Sequence, residues 1–244
     1  MTTGLVAELA RFPVKSMAGE RLSRAEFGPL GIAGDRHWAV YTEDGGIGSG
    51  KTTRRFRRIA GLFDLQARLA VPAAAGEDVP TVRFPDGLEY RADDPAAETA
   101  LSVLLGRPVR LRQESSVVHH DESRVHVITT VSLRHLGRLI GEPIAAARFR
   151  ANVVLAVDGD GVDDGFVEDA WTGRTLALGD EVRLALGTGM PRCVMVGLPQ
   201  PRADLPVEPH LLKQLGQVHD LRFGLKAEVV RGGTVRTGDL AALL

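Results

Sequence analysis

The chain is poor in cysteine, in net charge and in long apolar runs, and each shortage removes a class of explanation. One cysteine, Cys193, stands among 244 residues. No disulfide can form within the chain, and no cluster held by several thiolates can be built. A single cysteine fits a reducing compartment and makes that residue a singular chemical resource. The formal net charge is −1, so no whole-molecule field draws the protein toward nucleic acid or anionic lipid. Any basic site has to be local. No apolar run approaches the roughly 20 residues that span a bilayer. The opening stretch MTTGLVAELARFPVK lacks the basic-then-apolar order of a signal peptide. The expected location is the cytoplasm, with neither membrane nor nucleic acid as partner. Internal repeats, heptads and flavin or haem signatures are likewise missing.

What is present is an ordinary globular composition, 44% hydrophobic and 25% charged. The length suits one large domain or two small ones and suffices for a buried core. Period-two alternation dominates. In LFDLQARLA the residues Phe63, Leu65, Ala67 and Leu69 alternate with Asp64, Gln66 and Arg68, the pattern of a half-buried strand. Similar strands are expected over 5–12, 38–42, 81–84, 109–113, 125–129 and 152–157, and again over 181–186, 193–196, 225–230 and 235–240. Pro85-Asp86-Gly87, Asp158-Gly159-Asp160-Gly161 and Arg231-Gly232-Gly233 supply turn chemistry between them. Helices are expected over 95–105 with Gly106 as stop, over 132–140 with Thr129 or Thr130 as cap and Gly141 as stop, and over 208–215 after Pro206, ending at Gly216. Residues 71–80 read as an exposed hairpin loop. The polar stretch 113–122 marks a boundary, giving modules of 1–112 and 113–244. Many short strands with few helices predict an α+β, predominantly β fold of barrel type, not alternating βαβ units.

GGIGSGKT, residues 45–52, matches the phosphate-loop pattern. That loop needs a buried strand before the first glycine and a helix leaving from the Lys-Thr end. Here Thr42, Glu43 and Asp44 precede it, and only about two turns separate Thr52 from Gly61. The segment therefore reads as a glycine-rich hairpin turn with a solvated Lys51. The cluster Lys51, Arg54, Arg55, Arg57 and Arg58 reads as a solvated face, or one wall of a small-anion pocket, tethered by Phe56 and Ile59. His119 and His120, followed by Asp121 and Glu122, resemble metal ligands. Adjacent residues rarely aim at one point, so they read as a solvated loop.

GMPRCVMVGL, residues 189–198, sets Cys193 behind Pro191-Arg192 at the start of an apolar strand. A cation beside a cysteine favours the thiolate, the form that binds soft metals. A lone cysteine is otherwise a small core hydrophobe. Three further segments put fixed donors at strand ends: Lys15 and Ser16 in RFPVKS, Asp35 and Arg36 in GIAGDRHW, and Arg148, Arg150 and Asn152 in RFRANVVL. Loops held by a rigid sheet build binding sites in this way. If they converge, such groups suit a multiply charged phosphate ligand.

At these residues the chain resembles the MOSC family, named for the C-terminal domain of molybdenum cofactor sulfurase and including amidoxime-reducing components. FPVKS, GIAGDRHWAVYTEDG and LFDLQARL resemble its N-terminal β-barrel domain. RFRANVVL, FVEDAWTGRTLALGD, MPRCVMVGL, LRFGLKAEVV and GGTVRTGD resemble successive segments of the MOSC domain. The usual T-x-R-Q-x-P motif stands here as TTRRFRRIAG, without its proline. The resemblance implies a MOSC-type barrel and a molybdenum cofactor, molybdopterin with its metal, shared between the two modules. Cys193 would be the molybdenum ligand and catalytic centre. Lys15, Ser16, Arg36, Arg150, Asn152 and Arg192 would hold the pterin and its phosphate, with Thr129 and Ser132 also facing it. The implied activity is an oxidoreductase that reduces small N-oxygenated substrates, amidoximes and hydroxylamines, with electrons from a separate donor protein. The alternative is a carrier that holds the cofactor, or sulfur on Cys193, without turnover of its own.

Overall fold

A computed structural model describes residues 2–69, 79–157 and 165–244. The loop expected over 71–80 lies almost wholly outside them, and the 158–161 turn entirely so. Seven strands close into a barrel in the order Val153–Ala156, Val125–Thr129, Arg222–Arg231, Val182–Pro191, Thr175–Leu178, Leu240–Leu243 and Thr2–Arg11, which pairs back onto the first. Closure leaves no unpaired edge within the ring. The barrel is thus completed by a strand from the far end of the sequence: Leu9 pairs with Val153 and Leu5 with Leu240.

Six of the seven junctions are antiparallel. The exception joins Val125–Thr129 to Val153–Ala156 in parallel, and a parallel pair needs a crossover. Helix Thr130–Ile140 provides it. The Thr129 side chain accepts from the Ser132 amide at 3.1 Å, and Gly141 ends the helix at φ 90°, as the sequence predicts. Alternation sends Val125 and Val127 into the barrel core with Val153, Leu155, Leu184 and Leu225. Ile128 faces the opposite way, into a second core with Leu136, Phe149, Leu211, Leu215 and Phe223.

The first half of the chain adds two small sheets. One runs Val109–Gln113, Trp38–Thr42, Ile47–Ser49, Phe56–Arg58; the other runs Glu89–Arg91, Thr81–Arg83, Gln66–Arg68. Helix Pro95–Leu104, capped by Asp94, packs Ala97 and Leu101 into their common core with Val40, Leu65 and Val82. The fold is predominantly β, as expected.

Several local expectations are corrected. Residues 63–69 are not one strand: Leu62–Asp64 form a 3-10 turn before strand Gln66–Arg68. Residues 193–196 are not a strand either, because Val194–Gly197 form a 3-10 turn with Cys193 at its start. The 235–240 segment splits into Gly233–Arg236 and Leu240–Leu243 around Gly238 at φ 91°. The last helix begins at Leu211 and runs through Gly216 to His219. After Lys51-Thr52 comes strand Phe56–Arg58 and no helix, so there is no phosphate loop; nor is 45–52 a single hairpin turn, because Ile47–Ser49 within it form a buried strand. Among the described residues no helix is long and apolar enough to cross a membrane.

Candidate functional site

Segments flanking three barrel strands, with a turn from the first half of the chain, gather the candidate residues in one cavity. The strand Thr2–Arg11 leads out to Lys15 and Ser16, Val182–Pro191 leads out to Arg192 and Cys193, and Arg150 and Asn152 lie just before Val153–Ala156. Arg36 comes from the turn ahead of Trp38–Thr42. All seven of these residues line one cavity of about 290 Å³. Lys51, His120, Asp121, His126, Arg148 and Met195 line it too.

The backbone is bent to make this cavity. Ser16, Arg36 and Arg150 hold φ of 65°, 55° and 51°. A non-glycine residue in this left-handed region costs about 1–2 kcal/mol, and such strain persists where surrounding structure over-determines it. Ser16 is pinned by its hydroxyl to the Gly48 carbonyl at 3.3 Å. Arg36 donates to Asp35 and, at 3.2 Å, to the Arg150 carbonyl. Asp35 is fully buried and also receives the Phe12 amide at 2.8 Å, with His120 Nε2 3.2 Å away. Burial alone would raise its carboxyl; Arg36 and His120 instead hold it well below the usual carboxylate range.

Among the described residues three lining cations have no carboxylate partner, Arg148, Arg150 and Arg192, and the last two also keep a buried N–H without an acceptor. Arg150 is buried with its guanidinium 4.1 Å above the Phe12 ring and 5.3 Å from Phe63. Its Nη2 has no hydrogen-bond acceptor among the described residues. Arg192 donates Nη2 to the Phe149 carbonyl at 2.8 Å, while its Nε has none. Burial pulls Arg150 down to about 9, helped by Arg36, and Arg192 down to about 10. Both stay charged at neutral pH. Buried donors in this condition suit an anion.

The other wall is only partly neutralised, two ammonium groups sharing one carboxylate. Asp121 pairs with Lys15 and, at 2.6 Å, with Lys51, and both ammonium groups lie over the Phe56 ring at 4.4 and 5.3 Å. Burial lowers Lys15 to about 8 against the pull of Asp121. Lys51 is raised: burial opposes this, but the Asp121 hydrogen bond prevails. Cys193 is half-buried and lines the same cavity as Lys51 and Arg192.

Two site residues are braces as well as lining. Asn152 gives its amide to the Ala10 carbonyl and takes the His126 amide, both at 3.2 Å. Arg148 clasps the Val196 and Pro206 carbonyls at 3.3 and 3.1 Å, fixing the turn behind Cys193.

Thr129 and Ser132 do not join the cavity. Their hydroxyls point instead to the buried Glu168, Thr129 at 2.8 Å. Lys51 is not solvated, which corrects the hairpin expectation while preserving the anion-wall alternative. His119 and His120 are buried, and Asp121 is an ion-pair hub, so the stretch is not a solvated loop. Nor is it a metal site: among the described residues no three His, Cys, Asp or Glu side chains are grouped to hold one. Local pattern carried no signal for the pairing of Asp121 with Lys51 and Lys15, which lie about 70 and 106 residues away in sequence.

Fold and cavity define a class: a closed β-barrel protein with a strongly cationic, thiol-bearing cavity. The profile of the MOSC domain matches residues 114–241, and that of the MOSC N-terminal beta barrel domain matches 3–99. The chain belongs to the MOSC family. It is 27% identical over 229 residues to mitochondrial amidoxime-reducing component 1 of Homo sapiens, covering 79% of this chain and 65% of the relative. For the Xenopus laevis counterpart the identity is 23%, covering 74% and 60%. The chain therefore spans less than two thirds of the length of these curated relatives. The crystal structure of the YUAD protein from Bacillus subtilis shares the fold with a TM-score of 0.52 at 16% identity, over 99% of this chain and 95% of that one.

Proposed function

We propose that the chain binds a molybdenum cofactor in this cavity and, so loaded, reduces small N-oxygenated compounds of the amidoxime and hydroxylamine type. Electrons would come from a separate donor protein, since the lone cysteine cannot hold a thiolate-ligated cluster. One observation carries the reading. A thiol shares a cavity with two buried guanidinium groups whose N–H donors lack acceptors. A soft metal suits the thiolate and a phosphate tail suits the guanidinium groups. The name of the curated relatives supports the substrate class.

The donor set fits the group. Cys193 would hold the metal, and Arg36, Arg150, Arg192, Lys15 and Ser16 the pterin and its phosphate. Asn152 keeps the Arg150 turn in register through its two backbone contacts. When bound, the cofactor supplies two-electron redox chemistry and oxygen-atom exchange, and the protein supplies orientation and electrostatics. Arg150 and Arg192, fixed and desolvated beforehand, stabilise negative charge without reorganising when it develops. Both modules, 1–112 and 113–244, contribute to this one cavity.

Metal analysis with pterin fluorescence on protein from molybdenum-replete cells tests the reading. Molybdenum and pterin are expected in comparable amounts, and absence of both defeats it. Cys193→Ala removes a half-exposed side chain at a turn, so stability should shift by less than about 1 kcal/mol while molybdenum retention is lost. Turnover of a benzamidoxime-type substrate with an artificial donor separates an enzyme from a carrier.

A further inference from the structure

A second and larger cavity, about 780 Å³, shares Arg150 with the first and none of its other lining residues. Its walls come from the strand Thr2–Arg11, the segment 18–21, Gln66 and Arg68, the turn 145–151 and the segment 200–205. Small side chains, Ala10, Ala18, Ala147 and Ala151, form much of the surface and leave room for a flat ring.

Its polar groups are unevenly matched. The two carboxylates are engaged: Glu20 takes the Arg11 guanidinium at 2.9 and 2.8 Å and the Leu69 amide at 3.1 Å, and Glu8 faces Arg21 at 3.4 Å. Three cations have no carboxylate in ion-pair contact among the described residues: Arg68, Arg150 and Arg202. Arg202 is anchored only by the Asp64 and Phe84 carbonyls, both at 2.8 Å. Gln200 is 6% exposed, and its Nε2 has no acceptor among the described residues. A buried amide donor without a partner is costly, so this one marks where a ligand oxygen or ring nitrogen would sit.

We propose that this second cavity binds a nucleoside monophosphate. The phosphoryl group lies against the unpaired guanidinium groups, which recognise it in two-pronged fashion. The base lies on the alanine surface with an acceptor atom on Gln200 Nε2. The size falls within the usual range for a ligand of this kind, roughly 300–1,000 Å³. Two sources share this chemistry. One is a nucleotide joined to the cofactor phosphate past Arg150, the wall common to both cavities; the other is a free nucleotide. Only the first depends on the molybdenum reading.

Equilibrium binding of AMP, GMP and CMP to the full-length, cofactor-free protein tests it. At least one should bind below about 1 mM, more tightly than inorganic phosphate. Gln200→Leu and the exposed-rim change Arg68→Glu should each weaken it, Gln200→Leu by roughly tenfold, with melting temperature reporting that the variants fold. Cys193→Ala should bind as the parent does. No binding of any of the three, or binding indifferent to both variants, overturns the proposal. Acid hydrolysis of loaded protein then assigns the source: a nucleotide released with the pterin places it on the cofactor, and pterin without nucleotide assigns the site to a free one. Loss of molybdenum from the first cavity would leave nucleotide binding intact, so the two readings fail separately.

Discussion

The guanidinium of Arg150 lies 4.1 Å above the ring of Phe12 and finds no carboxylate there. The pair joins distant parts of the chain: Phe12 follows the strand Thr2–Arg11, and Arg150 ends the 3-10 turn Ala146–Phe149 ahead of Val153–Ala156. It also holds a buried charge in a strained backbone conformation, φ 51°, with the face of an aromatic ring as its main compensation. Such a charge lowers the stability of the unliganded protein and is the group an anion would relieve.

Arg150→Met should therefore stabilise the cofactor-free protein, by about 1 kcal/mol, while weakening anion binding in the cavity by at least roughly tenfold. Denaturant melts and phosphate titration of the same sample check both. A destabilised variant with unchanged affinity would show that Arg150 is a packing residue.

Asp121 competes with an incoming anion for Lys15 and Lys51. In Asp121→Asn the two ammonium groups repel each other over the Phe56 ring. The unliganded protein should lose about 1–3 kcal/mol, and phosphate affinity should rise several-fold, the gain shrinking with added salt.

Lys15 gives a pH dependence with opposite signs for binding and stability. Its native value is about 8 against 10.5 for the free side chain. Between these values the unfolded chain binds more protons at this site than the native one, so the Lys15 contribution to stability rises with pH over that window. Anion affinity falls over the same window, because the native ammonium loses its charge near pH 8. Titrations at pH 7 and 9 should show a larger drop in the parent than in Lys15→Gln.

Glu168 is sealed beside Thr129 and Ser132, with Oε1 lacking a partner among the described residues. Burial raises its carboxyl despite those hydroxyls. Its stabilising contribution is present below the unfolded value near 4.5 and is lost as pH rises through the higher native one. Glu168→Gln should flatten the fall in stability above pH 5, as followed by thermal melts across pH. An unchanged slope would place the titration elsewhere.

Strands long enough to alternate were legible in the sequence. Trp38–Thr42, Val109–Gln113 and Val125–Thr129 fold with the expected bounds, and the Thr129 cap and Gly141 stop mark the crossover helix. Three-residue strands such as Glu20–Leu22 were not, because so few residues carry no readable period. Cys193 was placed in a strand on its apolar neighbours Val194, Met195 and Val196. Those side chains serve a 3-10 turn over which helix Leu211–His219 packs, with Val196 in the same core as Leu211. Gly216 stays inside that helix since its open side is met by Leu221.

The sequence by itself determined the β-rich architecture, the singular thiol and the basic residues at strand ends, because side-chain alternation, turn chemistry and charge are local properties. Only the tertiary structure decided which charges survive unpaired. Lys51 and Asp121 meet across seventy residues, Thr129 and Ser132 turn inward to Glu168, and Arg150 has no carboxylate partner among the described residues. Tertiary packing brings distant segments to one cavity, and the low dielectric there makes each pairing, or its lack, matter.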